Sequence, residues 1–250
     1  MLNSKRVCIF VDGENLRHSI NDLFPVFDRR NYLPKTDWAK FFDWVACEVA
    51  GPDADRIRTY WYVVENIDFT PFNLNSARKD KNLLIKILSK DSDREKIIRE
   101  TAVEKRGETI EKMTDSLQES QKIMEHRFSG WNSIQNEIEY RCKSIEFRRA
   151  GSIKYNLFNG KLGFEKAVDV KLATDLIKLK DIYDIAVIVS GDQDYVPAVD
   201  LIKDSGKRTV NVAFLTENGR LLPGGAKRLN QSADWSIEIE HSKLKEFLSL

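Results

Sequence analysis

Cysteine is scarce in this chain. Cys8, Cys47 and Cys142 are far apart and odd in number, so they supply neither a complete disulfide framework nor a structural zinc site. They read as reduced thiols, and the expected location is cytoplasmic. Histidine is equally thin: His18, His126 and His241 lie far apart, which excludes a histidine-pair metal motif and leaves a Ser-His-Asp arrangement without local support. No apolar run could span a membrane, and the one in "MLNSKRVCIFVDGEN" is too short for a signal peptide, so no membrane partner is expected. An excess of one charge is missing too. Forty basic residues against thirty-nine acidic ones leave a net charge of +1, and a polyanion would have to be met by a local patch.

What is present is an alternation of strand-like and helix-like runs. The composition, 42% hydrophobic and 32% charged over 250 residues, suits one large domain or one domain with a sizeable insertion. "RVCIFVD" (6–12), "IRTYWYVVE" (57–65), "DIAVIVSGD" (184–192) and "RTVNVAFL" (208–215) predict strands, with "DWSIEIE" (234–240) a short last one. "WAKFFDWVACEVA" (38–50), with Thr36 or Asp37 as cap, "VDVKLATDLIKLK" (168–180) and "VPAVDLIKDSG" (196–206), closed by Gly206, predict helices. "SIEFRRAGSIKYNLFNGKLGFEK" (144–166) predicts a strand followed by a turn or hairpin around Asn159-Gly160. The expected class is α/β, a mainly parallel sheet flanked by helices.

Residues 75–142 break this rhythm. They are highly charged, poor in glycine and free of proline, with apolar residues recurring every three or four positions. This predicts a helical insertion of two or more long helices, breaking near Lys105–Gly107 or Ser129-Gly130. Its balanced charge favours a strut or a surface for homo-oligomer formation over a substrate-gripping arm.

Two predicted strands end in acid. "CIFVDGEN" delivers Asp12, and "VIVSGDQD" delivers Asp192 and Asp194; Asp169 opens the helix "VDVKLATDL". In a parallel sheet ligands bind outside the carboxyl ends of the strands, and neighbouring strands about 4.8 Å apart can share one cation between such carboxylates. Crowded carboxylates repel unless a hard, oxygen-loving ion such as Mg2+ or Mn2+ sits among them. The chemistry that follows is phosphodiester hydrolysis by a metal-activated water. Each acid also has a plainer role: Asp12 as turn former or helix cap, Asp194 as cap of the helix starting near Val196 with Pro197 in its first turn, and Asp169 partly as a cap. Asn15 suits orienting Asp12 or a water, or capping. Glu14 is expected to be exposed, and Asp175, off the face of Asp169, to serve solvent or a salt bridge. A dinucleotide site is disfavoured because "VDGENL" lacks G-x-G-x-x-G, and "DQDYVP" fails as a calcium loop.

At "IFVDGENL" (9–16), "KAVDVKLATDLI" (166–177), "IVSGDQDYVPAVDLIKDSGKRTVNVAF" (188–214) and, more weakly, "RLNQSADWSIEI" (228–239) the sequence resembles the NYN domain family, a branch of the PIN-like metal-dependent nucleases. The resemblance implies a single PIN-like, Rossmannoid domain over 1–250, interrupted by the 75–142 insertion. It implies Mg2+- or Mn2+-dependent cleavage of RNA, with metal ligands at Asp12, Asp169, Asp192 and Asp194 and supporting positions at Asn15 and Ser190.

The expected activity is therefore endoribonucleolytic, on single-stranded RNA. Arg17, Lys171, Lys207 and Arg208 are candidate phosphate contacts, and Tyr195 a candidate for stacking on a base. The alternative is a non-catalytic module that binds RNA or protein through the same pocket while the helical insertion mediates assembly. A small-molecule phosphatase would need a D-x-D nucleophile, and Asp12 is followed by Gly13 and Glu14.

Overall fold

The structure is a computed structural model that describes residues 4–27, 32–71, 74–222 and 226–250; the first three residues of the N-terminal stretch quoted above lie outside them. In chain order the elements are β1 (Arg6–Asp12), α1 (Gly13–Leu23), α2 (Trp38–Ala50), β2 (Asp55–Thr70), α3 (Leu74–Ala77), α4 (Lys81–Leu88), α5 (Ser92–Glu100), α6 (Val103–Arg141), β3 (Ile145–Asn156), β4 (Lys161–Lys166), α7 (Val168–Lys178), β5 (Ile185–Val189), α8 (Val196–Asp204), β6 (Arg208–Phe214), α9 (Lys227–Ser232), β7 (Trp235–Ile239) and α10 (His241–Leu248). A 3-10 turn, Gln193–Tyr195, leads into α8. The strand order is β4-β3-β2-β1-β5-β6-β7. β1 pairs in parallel with β2 and β5, β5 with β6 and β6 with β7, while β3 and β4 are antiparallel. This is the α/β class with the mainly parallel sheet that the alternation predicts. Among the described residues no helix is long and apolar enough to cross a membrane.

The chain divides into two compact units. The first, residues 1–65, 132–150 and 167–250, holds the parallel strands. β5, "IAVIV", is buried at every position and β1 from Val7 onward, because a parallel strand covered on both faces has no polar side. Cys8 lies within β1, fully buried, and burial pushes its thiol up to about 12. Helices α7, α8 and α9 contact one another along β1 and β6. Elsewhere α10 seats Phe247 edge-on against Phe41 of α2, ring centroids 5.4 Å apart, and His241 against Phe24 at the end of α1. Helix α2 starts as expected at Asp37, whose carboxylate accepts from the Lys40 amide at 3.1 Å. The aromatic centre is Trp61 on β2: its ring stacks on Phe147 of β3 at 5.1 Å and meets Trp38 and Phe42 edge-on at 4.9 and 5.5 Å.

The second unit, residues 66–131 and 151–166, joins the expected insertion to the outer ends of β2 and β3 and to β4. The β3–β4 hairpin turns where expected, with Gly160 at φ 67° and the Asn159 carboxamide accepting from Lys161 N. The helical stretch differs from expectation. Instead of breaking at Lys105–Gly107 or Ser129-Gly130, α6 runs unbroken over 39 residues through both glycines, and the break falls at Thr101, whose extended backbone ends α5. The cause is packing. Ile110, Leu117, Met124 and Trp131, seven residues apart, are all buried, and burying them outweighs about 1 kcal/mol per helical glycine.

Trp61→Ala should cost about 3–5 kcal/mol by leaving a cavity among Trp38, Phe42 and Phe147, whereas Trp61→Phe should recover most of that loss. Urea titrations of the variants, compared at unchanged m-value, measure both.

Candidate active site at the carboxyl ends of β1 and β5

The chain leaves β1 to build β2 on one side and returns to place β5 on the other, so the strand order reverses between β1 and β5. The last register pair there is Val11 with Val189, and the next residues, Asp12 and Ser190, project from adjacent strand ends. A crevice at such a reversal is where open α/β sheets bind ligands.

Asp12 is 3% exposed and both of its carboxylate oxygens are engaged. Oδ1 accepts from the Asn15 amide at 3.0 Å and caps α1. Oδ2 accepts from the Ser190 hydroxyl at 2.9 Å, and Ser190 Oγ in turn accepts from the Asp192 amide at 3.0 Å. Asn15 Oδ1 accepts from Gly191 N at 2.8 Å, which ties the start of α1 to the turn after β5. Helix α1 begins directly after β1 because Gly13 has no side chain: a Cβ there would lie 2.4 Å from the Tyr62 carbonyl oxygen and 2.9 Å from Val63 Cγ1. Asp192 caps the 3-10 turn, its Oδ1 accepting from Asp194 N at 2.9 Å. The cap expected of Asp194 is not made: α8 starts after Tyr195 with no side-chain cap, because the chain enters it through that turn. Asp194 itself is exposed.

Tyr195 is the residue whose role the sequence concealed. It is fully buried and has no face to offer a base. Its hydroxyl lies 2.9 Å from Asp169 Oδ1 and 3.2 Å from Asp12 Oδ2, which links α7 to β1. Asp169 arrives there because α7 starts at Ala167 in the left-handed region, φ 71°, a conformation that costs a non-glycine residue roughly 1–2 kcal/mol. The one phenolic proton is shared between the two carboxylates, with the shorter contact to Asp169.

The electrostatics agree. Burial raises Asp12 to about 6, opposed by its hydrogen bonds from Asn15, Ser190 and Tyr195 and reinforced by Asp169. Asp169 is also raised, first by burial and then by the charges of Asp192 and Asp194. Burial, followed by the two adjacent carboxylates, holds the Tyr195 phenol in its protonated form. Among the described residues none of the four aspartates forms an ion pair with a basic side chain. Beside the site Asn15, His18, Ser190 and Gly191 line a small cavity of about 100 Å³, room for roughly three waters.

The basic residues expected at a phosphate are engaged elsewhere. Arg17 pairs with Glu14 at 2.6 Å, and Glu14, expected to be exposed, is buried by that pair. Lys171 pairs with Asp175 at 3.0 Å. Asp175 is buried rather than solvated, holding the Arg148 guanidinium as well and accepting from the Tyr62 hydroxyl at 3.2 Å; these cations hold its carboxyl below the usual range despite burial. Lys207 donates to the Tyr183 carbonyl at 2.8 Å. Arg208 begins β6 opposite Ile185, at the amino edge of the sheet, away from the acids.

Hard carboxylate oxygens without basic partners are the donor set that suits Mg2+ or Mn2+. Their arrangement is looser than the sequence suggests: among the described residues no group of three or more Asp, Glu, His or Cys side chains converges closely enough to hold a metal ion. Asp12 and Asp169 are drawn onto Tyr195, while Asp194 is exposed. The residues fit the ion in kind.

Comparison with known proteins adds the following. The NYN domain model matches residues 73–240, a range that holds Asp169, Asp192 and Asp194, with Asp12 and Asn15 before it. No curated protein matches the chain. A solved structure, that of a protein of unknown function from Vibrio parahaemolyticus, is 14% identical and aligns over 96% of this chain and 95% of that one with a TM-score of 0.46.

Two predictions follow from this geometry. Because the folded-state value of Asp12 is raised from 3.8 to about 6, its contribution favours the folded state below the lower value and is lost as pH rises through the upper. Metal-free protein should therefore lose about 3 kcal/mol of stability between about pH 4 and pH 6. Asp12→Asn should abolish that drop, as urea titrations in EDTA across this range would show. Gly13→Ala, in turn, should misalign α1 and destabilise the fold by about 2 kcal/mol or more, because the clash is with backbone.

Proposed function

The chain belongs to the NYN domain family, and from that membership we propose that it is a metal-dependent ribonuclease, hydrolysing phosphodiester bonds of single-stranded RNA at the carboxyl ends of β1 and β5. The observation that supports this most is the gathering of uncompensated acids at two strand ends: the Tyr195 hydroxyl joins the carboxylates of Asp12 and Asp169, and the Ser190 hydroxyl ties the Asp12 carboxylate to the backbone amide of Asp192. Asp12, Asp169, Asp192 and Asp194 would hold Mg2+ or Mn2+. When bound, such an ion acidifies a water, polarises the phosphoryl oxygen and stabilises the departing alkoxide.

The protein's own side chains do the positioning. Ser190 and Tyr195 fix the buried Asp12, and Tyr195 the half-buried Asp169, by hydrogen bonds, Asn15 holds the Gly191 turn, and Asp192 and Asp194 face the entering substrate. Tyr195 stays protonated and acts as a donor, not a base. The three free thiols accord with a cytoplasmic protein.

A second reading, a binding module without catalysis, is favoured by the loose spacing of the acids and by the hydrogen bonds that occupy both Asp12 oxygens. Calorimetric titration with Mn2+ separates the two, since a mere scaffold takes up no ion in an aspartate-dependent way.

Purified protein should cleave single-stranded RNA with Mg2+ or Mn2+ and lose the activity in EDTA. Asp12→Asn combined with Asp192→Asn should fall to the EDTA baseline, and full activity in that variant would assign the cleavage to another source. Ser190→Ala, which removes one of the two hydroxyls on Asp12 Oδ2, should cost about 10- to 100-fold.

A further inference from the structure

Beside Asp194 the surface dips into an open groove of about 930 Å³, bounded by the 3-10 turn and start of α8 on one side and by α9 on the other. Its walls are fixed: Ser232 Oγ donates to Asp200 Oδ1 at 2.8 Å, and Lys203 Nζ donates to the Ser232 carbonyl at 2.6 Å, tying α9 to α8. Three chemistries meet in it. Arg228 is exposed and forms no ion pair among the described residues, although Asp194 lines the same groove. Gln193 and Gln231 bring side-chain amides, each able to donate and to accept. Pro197, exposed at the first turn of α8, offers a rigid apolar face.

This combination selects its occupant. A groove open along its length suits a polymer better than an enclosed small molecule. No aromatic anchor lines it, so the buried hot spot of a protein interface is missing. An exposed guanidinium without an ion pair among the described residues, carried on a helix tied to α8 and lining the same groove as Asp194, matches a chain of phosphates, one at the acids and another further along. Amides can read a base edge or a ribose 2′-hydroxyl. Resting on the ribonuclease reading above, we propose that this groove holds the nucleotide adjoining the scissile phosphate. Arg228 pairs with its backbone phosphate, Pro197 supports the base, and Gln193 and Gln231 hydrogen-bond to the 2′-hydroxyl or base edge. Arg228 is thus a binding residue, and the groove sets the direction in which RNA leaves the acids.

The test is fluorescence anisotropy of a short labelled single-stranded RNA with the Asp12→Asn, Asp192→Asn protein, expected at the EDTA baseline of cleavage, over a series of salt concentrations. Adding Arg228→Ala should weaken binding about five- to tenfold and reduce the salt slope by about 0.7. Arg228→Lys should restore the slope but not the full affinity, since the fork is lost. Gln193→Ala with Gln231→Ala should reduce the preference for RNA over the same DNA sequence and leave the slope alone, and Lys245→Ala on α10 should change nothing. Unchanged affinity and slope in Arg228→Ala, while wild-type protein still cleaves RNA, would overturn the groove and leave the nuclease standing. Arg228-dependent binding by a protein that never cleaves would support the groove and sink the nuclease. RNA that does not bind at all would overturn the groove outright.

Discussion

A single buried carboxylate organises this molecule. Asp12 ends the central strand, starts the helix that follows and receives hydroxyls from the neighbouring strand end and from the approach to α8. A charge that deep in the protein is expensive unless it is satisfied. The surrounding chain meets that demand with an amide, a serine and a tyrosine, all of which the fold must place together. The sharp turn at Gly13 and the seating of Asn15 on Gly191 serve the same end. The site is in this sense a consequence of how β1 and β5 are joined, and the chemistry proposed for it uses contacts that the fold already needs.

The same residues carry an electrostatic cost. Burial first, and neighbouring carboxylates without basic partners second, raise the affinity of Asp12 and Asp169 for protons. The nearby Asp175 shows the opposite solution. It is equally buried, but Arg148 and Lys171 neutralise it. Two aspartates of one helix, Asp169 and Asp175, thus take opposite electrostatic roles, one left uncompensated at the strand ends and the other locked into a structural ion pair.

Much of this was legible beforehand. The apolar runs of β1, β5 and β6 announced a parallel sheet, and the acids at two strand ends announced where its crevice lies. Periodicity could not reveal partners. Tyr195 reads as an exposed aromatic after a polar turn, yet the 3-10 geometry swings it inward between two carboxylates. Glu14 and Lys171 read as surface charges because nothing in their local sequence names Arg17 and Asp175 as partners. The long α6 was misjudged for a related reason: glycines are local signals, whereas the row from Ile110 to Trp131 gains its weight only when tertiary packing covers it. Arg228 was passed over because a lone exposed arginine has no sequence pattern; only its place across the groove from Pro197 distinguishes it.

The thiol of Cys8 has a practical consequence. It lies inside the central strand with its ionisation suppressed, while Cys47 is exposed and Cys142 partly so. Alkylating reagents attack thiolates, so Cys47 should be modified at once and Cys8 only when the β1 backbone separates from its neighbours. The lag between the two is a native clock for opening of the sheet, readable by mass spectrometry in the unaltered protein.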